Sequence, residues 1–317
     1  MPRHATRGAT LGPAVRPGVQ TRWPHQPAIL VADAAERAGK STVLVDARKK
    51  FPASGIAFSK DLILTADHVV ERDEEIKVIL SDGTEVAARV SGRDPGTDLA
   101  VLKLDSASAA PAEVSTDSAR VGQFVLAVGR PSAQGIESSF GTINSIGGPV
   151  RTGRGSMLER YIKTDVVSYP GFSGGPLVNG DGTILGINTS GFGNGGAITI
   201  PADVAWKIAD TLSKHGKIKR GYLGIRSQMV QVSDEMKRSL KREQQSGLLV
   251  VGLEENSPAG KGGLLVGDIL VGVNGEAVAH QDDLFVRLSG DVVGKSVPLN
   301  IVRGGKLESI SVVIGER

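Results

Sequence analysis

Three short segments constrain this chain more than any other feature: Leu64-Thr65-Ala66-Asp67-His68-Val69-Val70, then Gly96-Thr97-Asp98-Leu99-Ala100-Val101-Leu102, then Pro170-Gly171-Phe172-Ser173-Gly174-Gly175-Pro176-Leu177. Each sets a candidate reactive group among apolar residues, with turn-forming glycines near Asp98 and Ser173. A serine hydroxyl is a weak nucleophile at neutral pH, so Ser173 needs a base such as His68. His68 in turn needs a carboxylate, Asp98, to fix its tautomer and stabilise the imidazolium. The three lie far apart in the chain, so only a tertiary fold can bring them together. His4, His25, His215 and His280 sit in a tail, near a linker or in a second unit, which leaves His68 as the base.

From Val43 to Ile200 short β-rich runs alternate with turns, among them Val43-Leu44-Val45, Leu62-Ile63-Leu64, Leu99 to Leu104 and Ile184 to Asn188. Asp82-Gly83 and Asp181-Gly182 stand between apolar runs as hairpin turns. Closely spaced strands of this kind predict a sandwich or barrel. Val204, Ile208 and Leu212 recur every four residues and predict a closing helix over 201–213. The polar, basic, glycine-flanked stretch 215–221 reads as a linker. Residues 222–317 carry their own strands: Leu248 to Leu253, Ile269 to Val273, Val297 to Val302 and Ile310 to Ile314.

The order His, Asp, Ser is that of the chymotrypsin-type double barrel, whereas subtilisin-like and α/β-hydrolase enzymes use other orders. With these motifs the chain resembles the HtrA/Deg serine proteases, a trypsin-like domain followed by a PDZ domain. Tyr222-Leu223-Gly224-Ile225, Ser257-Pro258-Ala259, Gly267-Asp268-Ile269-Leu270 and Val273-Asn274-Gly275 resemble the PDZ part. The resemblance implies a mainly β fold: a chymotrypsin-like double β-barrel over 29–214, then a PDZ α+β domain over 222–317. It implies an ATP-independent serine endopeptidase acting on unfolded or damaged protein, with Ser173 as nucleophile and the N–H groups of Gly171 and Ser173 as oxyanion hole. It also implies peptide C-termini as PDZ ligands, received by Leu223, Gly224 and Ile225, and a homotrimer. No metal or organic cofactor and no nucleic acid enter this reading. The alternative is a non-catalytic peptide-binding or chaperone-like protein on the same scaffold; an esterase using the same triad is a third.

Two departures follow from the residues. Phe172 stands where the family commonly has Asn, so pairing of a freshly cleaved amino terminus with an acid at that place is excluded. Val167 lies where trypsin-like digestive enzymes carry an acid. With Ser168 and Ile187 it predicts a pocket for small or medium aliphatic side chains, Asp165 being the nearest acid in sequence.

The absence of cysteine excludes disulfides and thiolate chemistry. The net charge of +3 is uneven, because Arg3, Arg7, Arg16 and Arg22 lie in the first 27 residues with no acid. That proline-rich stretch, residues 1–28, reads as a disordered basic tail. It shows no apolar leader and the chain no membrane-length apolar run, which predicts a cytoplasmic location, or a periplasmic or extracellular one if the amino terminus is not the natural one. Gly39-Lys40-Ser41-Thr42 looks like the end of a phosphate-binding loop, yet Ala34 stands where its first glycine is required. Gly191-Phe192-Gly193-Asn194-Gly195-Gly196 has dinucleotide-site spacing but leads into the strand-like Ala197 to Ile200, and reads as a hairpin near the cleft.

Overall fold

The strand-rich pattern of residues 43–200 is realised as two closed six-stranded barrels in a computed structural model that describes residues 26–106, 108–152, 156–192, 197–240, 243–288 and 292–316. The first barrel holds β1 (Thr42–Asp46), β2 (Ala53–Ala57), β3 (Leu62–Ala66), β4 (Ile76–Ile79), β5 (Glu85–Asp94) and β6 (Leu99–Leu104). The strand order is β1-β2-β3-β6-β5-β4, and β4 returns to β1 with Ile79 opposite Leu44, which leaves no open edge. Asp82-Gly83 turns the chain from β4 to β5, as its composition predicts.

The second barrel begins with β7 (Phe124–Ser132) and β8 (Gly135–Gly147). A small hairpin of β9 (Val150–Arg151) and β10 (Met157–Leu158) follows. The barrel is completed by β11 (Tyr161–Thr164), β12 (Pro176–Val178), β13 (Ile184–Thr189) and β14 (Ile198–Pro201), in the order β11-β14-β13-β12-β7-β8.

Two helices brace the barrels. α1 (Gln26–Gly39) begins inside the stretch read as a disordered tail, whose residues 1–25 lie outside the described residues. The sequence reading missed it; among its side chains from residue 31 onward the apolar ones that are buried are small, Ala34, Ala35 and Ala38. Ser41 and Thr42 donate their hydroxyls to the Ala38 carbonyl at 3.2 and 2.8 Å, so the phosphate-loop lookalike is the end of this helix. α2 (Ala202–His215) ends at Gly216, whose N–H donates to the Leu212 carbonyl at 2.9 Å. One apolar cluster joins both barrels and both helices, combining Ile56, Leu64 and Leu99 with Val128, Ile187 and Ile200, Ala38 of α1 and Leu212 of α2. The seam between the two barrels is therefore packed from beneath.

The second unit pairs β15 (Gly221–Tyr222) with β22 (Gly315–Glu316), which brings its two ends together. Its main sheet runs β16 (Ile225–Gln231), β17 (Ser246–Leu253), β18 (Ile269–Val273), β20 (Ser296–Arg303) and β21 (Lys306–Val313), with β19 (Glu276–Ala277) on β18. α3 (Asp234–Leu240), α4 (Pro258–Lys261) and α5 (Gln281–Arg287) flank it. Leu223, Leu248, Leu270, Leu299, Ile301 and Ile314 form a separate core. β16 stands at the sheet edge, with α5 beside it.

Candidate active site

The register of two strands brings base and acid together. β3 and β6 pair antiparallel with Ala66 opposite Leu99, so the chain leaving β3 passes the chain entering β6. The Asp67 N–H donates to the Asp98 carbonyl at 3.0 Å, and His68 follows in a single 3-10 turn. Asp98 adopts φ +56°, a left-handed conformation that aspartate tolerates better than most residues. Its buried carboxylate accepts the His68 backbone N–H at 2.9 Å and His68 Nδ1–H at 2.8 Å, and the Thr189 hydroxyl as well. The Nδ1 contact fixes the tautomer that leaves Nε2 as the acceptor. From behind, Arg93 clamps the turn: Nε donates to Asp67 Oδ1 at 2.7 Å and Nη2 to the Val70 carbonyl at 2.9 Å.

Ser173 sits in the turn before β12. The Phe172 N–H donates to the Tyr169 carbonyl at 3.0 Å, and Phe172 itself is fully buried in the second barrel, edge-on to Tyr169 at 5.4 Å. Gly171 has φ +90°, and a Cβ there would stand 2.6 Å from Pro131 Cβ, so the sharp turn requires glycine. Among the described residues the N–H groups of Gly171 and Ser173 have no internal acceptor. The Ser173 hydroxyl pairs with the Ser190 hydroxyl at 3.0 Å, not with His68. His68, Ser168, Tyr169, Pro170, Gly171, Ser173 and Ser190 line one cleft of about 420 Å³, with Arg48, Phe51 and Ala197.

Of the three residues read as the specificity pocket, Ser168 alone lines this cleft. Ile187 is fully buried in the seam between the barrels, because β13 is covered on both faces. Val167 is 54% exposed and donates its N–H to Ser139 Oγ at 2.8 Å. Asp165 is engaged outside the cleft, where hydrogen bonds from the Thr142 N–H and hydroxyl hold its carboxyl below the usual range. Sequence reasoning missed Thr189, the last residue of β13, and Ser190 just after it, which reach Asp98 and Ser173 across the fold. Gly193 to Gly196 of the glycine-rich hairpin lie outside the described residues.

In the second unit, Leu223 is buried and Gly224 has φ +71°; a Cβ there would come within 2.5 Å of Ser257 Cβ. The carbonyls of Leu223 and Gly224 accept the N–H groups of Ala259 and Glu254, at 3.0 and 2.8 Å, and are thereby turned inward. Among the described residues the Leu223 and Gly224 N–H groups have no such partner, and Ile225 opens the edge strand β16. Across the groove Gln281 Nε2 donates to the Ser227 carbonyl at 3.0 Å.

Comparison with known proteins agrees with this division. Residues 53–187 match the trypsin-like peptidase domain family, and residues 221–314 match the PDZ domain family. The solved HtrA-type protease AlgW with tripeptide is 30% identical, covers 90% of this chain and 97% of its own, and superposes with a TM-score of 0.76. The chain belongs to the HtrA-type serine proteases. A serine endoprotease structure from Yersinia pestis is 29% identical over 90% of this chain and 98% of its own, with a TM-score of 0.75. Curated HtrA relatives include the probable periplasmic serine endoprotease DegP-like of Pseudomonas putida strain F1, 36% identical over 83% of this chain and 55% of the relative. The corresponding protein of Halomonas elongata is 37% identical over 83% and 56%. This HtrA chain thus spans about half the length of the curated relatives it matches. Their periplasmic naming overturns the cytoplasmic location expected from the sequence. Among the described residues no helix is long and apolar enough to cross a membrane.

Proposed function

We propose that this protein is a serine endopeptidase that cuts unfolded polypeptides in the periplasm, and that its PDZ domain holds peptide carboxyl termini. The observation that carries the reading is the Asp98–His68 pair at 2.8 Å, set beside Ser173 in one cleft with the N–H groups of Gly171 and Ser173, which have no acceptor among the described residues.

In this reading His68 Nε2 takes the Ser173 proton as Oγ attacks the scissile carbonyl, then delivers it to the leaving amine. Asp98 stays ionised and stabilises the imidazolium. The oxyanion meets the Gly171 and Ser173 N–H groups, each worth about 2.7–4 kcal/mol at the transition state. The Ser173 hydroxyl, paired with Ser190 in this structure, turns toward His68 before attack. Loss of the amine leaves Ser173 as an ester; His68 then takes a proton from water as it attacks this ester, the new carboxyl terminus departs, and the proton returns to Ser173 Oγ. No carboxylate is among the described residues lining the cleft, which supports cleavage after small or medium aliphatic side chains.

The PDZ reading rests on the N–H groups of Leu223 and Gly224, which have no partner among the described residues, and on the open edge of β16, where a peptide can add as a strand. Self-association as a homotrimer belongs to the same proposal, and sedimentation tests it. The decisive experiment is digestion of unfolded casein by the purified chain, with Ser173→Ala alongside, and labelling by a fluorophosphonate. Wild-type cutting and labelling, both lost in Ser173→Ala, are expected. A wild-type chain that neither labels nor cuts would leave the peptide-binding alternative.

A further inference from the structure

Beneath the nucleophile turn lies a residue that the triad does not account for. Ser54, on β2 of the first barrel, is fully buried, and every polar group it has is committed at the boundary with the second barrel. Its N–H donates to the Ser173 carbonyl at 3.2 Å, and its own carbonyl accepts the Thr65 hydroxyl at 2.7 Å. Its hydroxyl accepts the Arg130 N–H at 2.8 Å and donates to the Gly171 carbonyl at 2.7 Å. The direction of both hydroxyl bonds is fixed by chemistry, since an amide N–H can only donate and a carbonyl can only accept.

We infer that Ser54 is a positioning residue that holds the oxyanion hole in its working shape by pinning the Gly171 carbonyl. This rests on the oxyanion-hole reading above. The peptide plane between Gly171 and Phe172 is gripped at both ends, its carbonyl by Ser54 and its N–H by the Tyr169 carbonyl. Gly171, at φ +90°, is the point where that loop is free to rotate. Rotating the plane would leave the Ser54 hydroxyl proton and the Gly171 carbonyl unpaired in a dry interior, which costs the desolvation of both groups. The Gly171 N–H is carried by the neighbouring Pro170–Gly171 plane, so with the Gly171–Phe172 plane held its direction is set by the Gly171 dihedrals alone.

Arg130 extends the same support. Its backbone N–H occupies one side of the Ser54 oxygen, so the hydroxyl proton is left for Gly171. Its largely buried guanidinium donates Nε to the Thr42 carbonyl at 2.8 Å and Nη2 to the Gly39 carbonyl at 3.1 Å, at the end of α1. Burial lowers the pKa of this guanidinium from its usual value.

The test uses the purified full chain and the variants Ser54→Ala and Ser54→Cys, the second retaining shape with a weaker donor. Four quantities are measured: kcat and KM on an internally quenched peptide with an aliphatic cut site, the affinity of a peptidyl boronic acid whose tetrahedral oxygen enters the hole, and the melting temperature. Removing an oxyanion donor outright costs about 100- to 1,000-fold in kcat, so loss of its support is expected to cost at least about 10-fold. KM should stay within about twofold, boronate affinity should fall in step with kcat, and Ser54→Cys should lie between alanine and wild type.

A folded Ser54→Ala with wild-type kcat, or with raised KM and unchanged kcat, overturns the inference. If Ser54→Ala does not fold, Ser54→Cys decides: a lower kcat at unchanged KM supports the role, and wild-type kcat refutes it. Failure of the parent reading shows separately, as a wild-type chain that no fluorophosphonate labels.

Discussion

Phe172, next to the nucleophile, shows how a residue is better understood by what it touches than by what it replaces. The sequence presents it as the absence of an Asn or Asp; in the fold its ring fills the second barrel, where a Cβ at Gly129 would stand 2.7 Å from its Cδ1. Phe172→Ala is expected to cost about 3–5 kcal/mol of stability, as large aromatic deletions do. Thermal unfolding checks this, and a change below about 1 kcal/mol would mean the cavity collapses without cost. That His68 and Asp98 pair and that Ser173 shares a cleft with His68 was legible because each carries its local turn chemistry with it. Thr189 and Ser190 were not, because a hydroxyl that meets a carboxylate 91 residues away leaves no local trace. Ile187 was misplaced for a related reason: when both faces of a strand are buried, period-two alternation cannot separate cleft from core.

At the level of elements, the strands of both barrels and the helix α2 followed from alternation and four-residue spacing, while α1, whose buried apolar side chains from residue 31 onward are small, was missed. The groove between β16 and α5 carries a contact that no pattern predicts. Gln281 supplies to the Ser227 carbonyl a hydrogen bond of the kind an added peptide strand would supply. Gln281→Ala, in a Ser173→Ala background that prevents cleavage, is therefore expected to tighten binding of an apolar-ended peptide by about 2- to 10-fold, the worth of one net hydrogen bond. Titration calorimetry on the full chain checks it, and weaker binding would make Gln281 a contributor to the groove instead. A second element-level prediction concerns β20, where Arg303 donates Nε and Nη2 to the two oxygens of buried Asp268, at 2.8 and 2.7 Å. Burial pushes the Asp268 carboxyl up, but the Arg303 bonds and the Leu265 N–H outweigh it, and the net displacement is downward. A carboxylate depressed by folding contributes stability above its unfolded pKa of about 4, and that contribution is lost as pH falls through the folded value. The gap in urea midpoint between wild type and Arg303→Met should thus be widest near pH 7 and narrow below pH 4. A gap independent of pH would show that the pair's charge contributes nothing.

Across the whole molecule, the linker between the two domains is tied to the first barrel by an ion pair next to the triad. Arg220, immediately before β15, donates Nη2 to buried Asp94 at 2.5 Å and to Ser156 Oγ at 2.8 Å. Asp94 opens the turn that ends in Asp98, accepting the Gly96 N–H at 3.2 Å and the Thr97 hydroxyl at 2.6 Å. Arg220→Met leaves that carboxylate buried without its cation. The cost should be a part of the about 3–5 kcal/mol typical of a fully buried pair, since Arg220 is a third open to solvent. Amide hydrogen exchange over residues 94–98 should quicken and kcat should fall; unchanged exchange there would mean the turn holds itself. The seating of α1 has a consequence of another kind, in time. Its end is bound by Arg130, 91 residues further along, and its alanine face packs on strands of the second barrel. During synthesis the helix therefore emerges long before its docking site exists. Fourteen residues make a marginal helix alone, and contacts so distant in sequence close slowly. The first barrel can close while α1 waits, so among the described elements the first to be made is among the last to be seated.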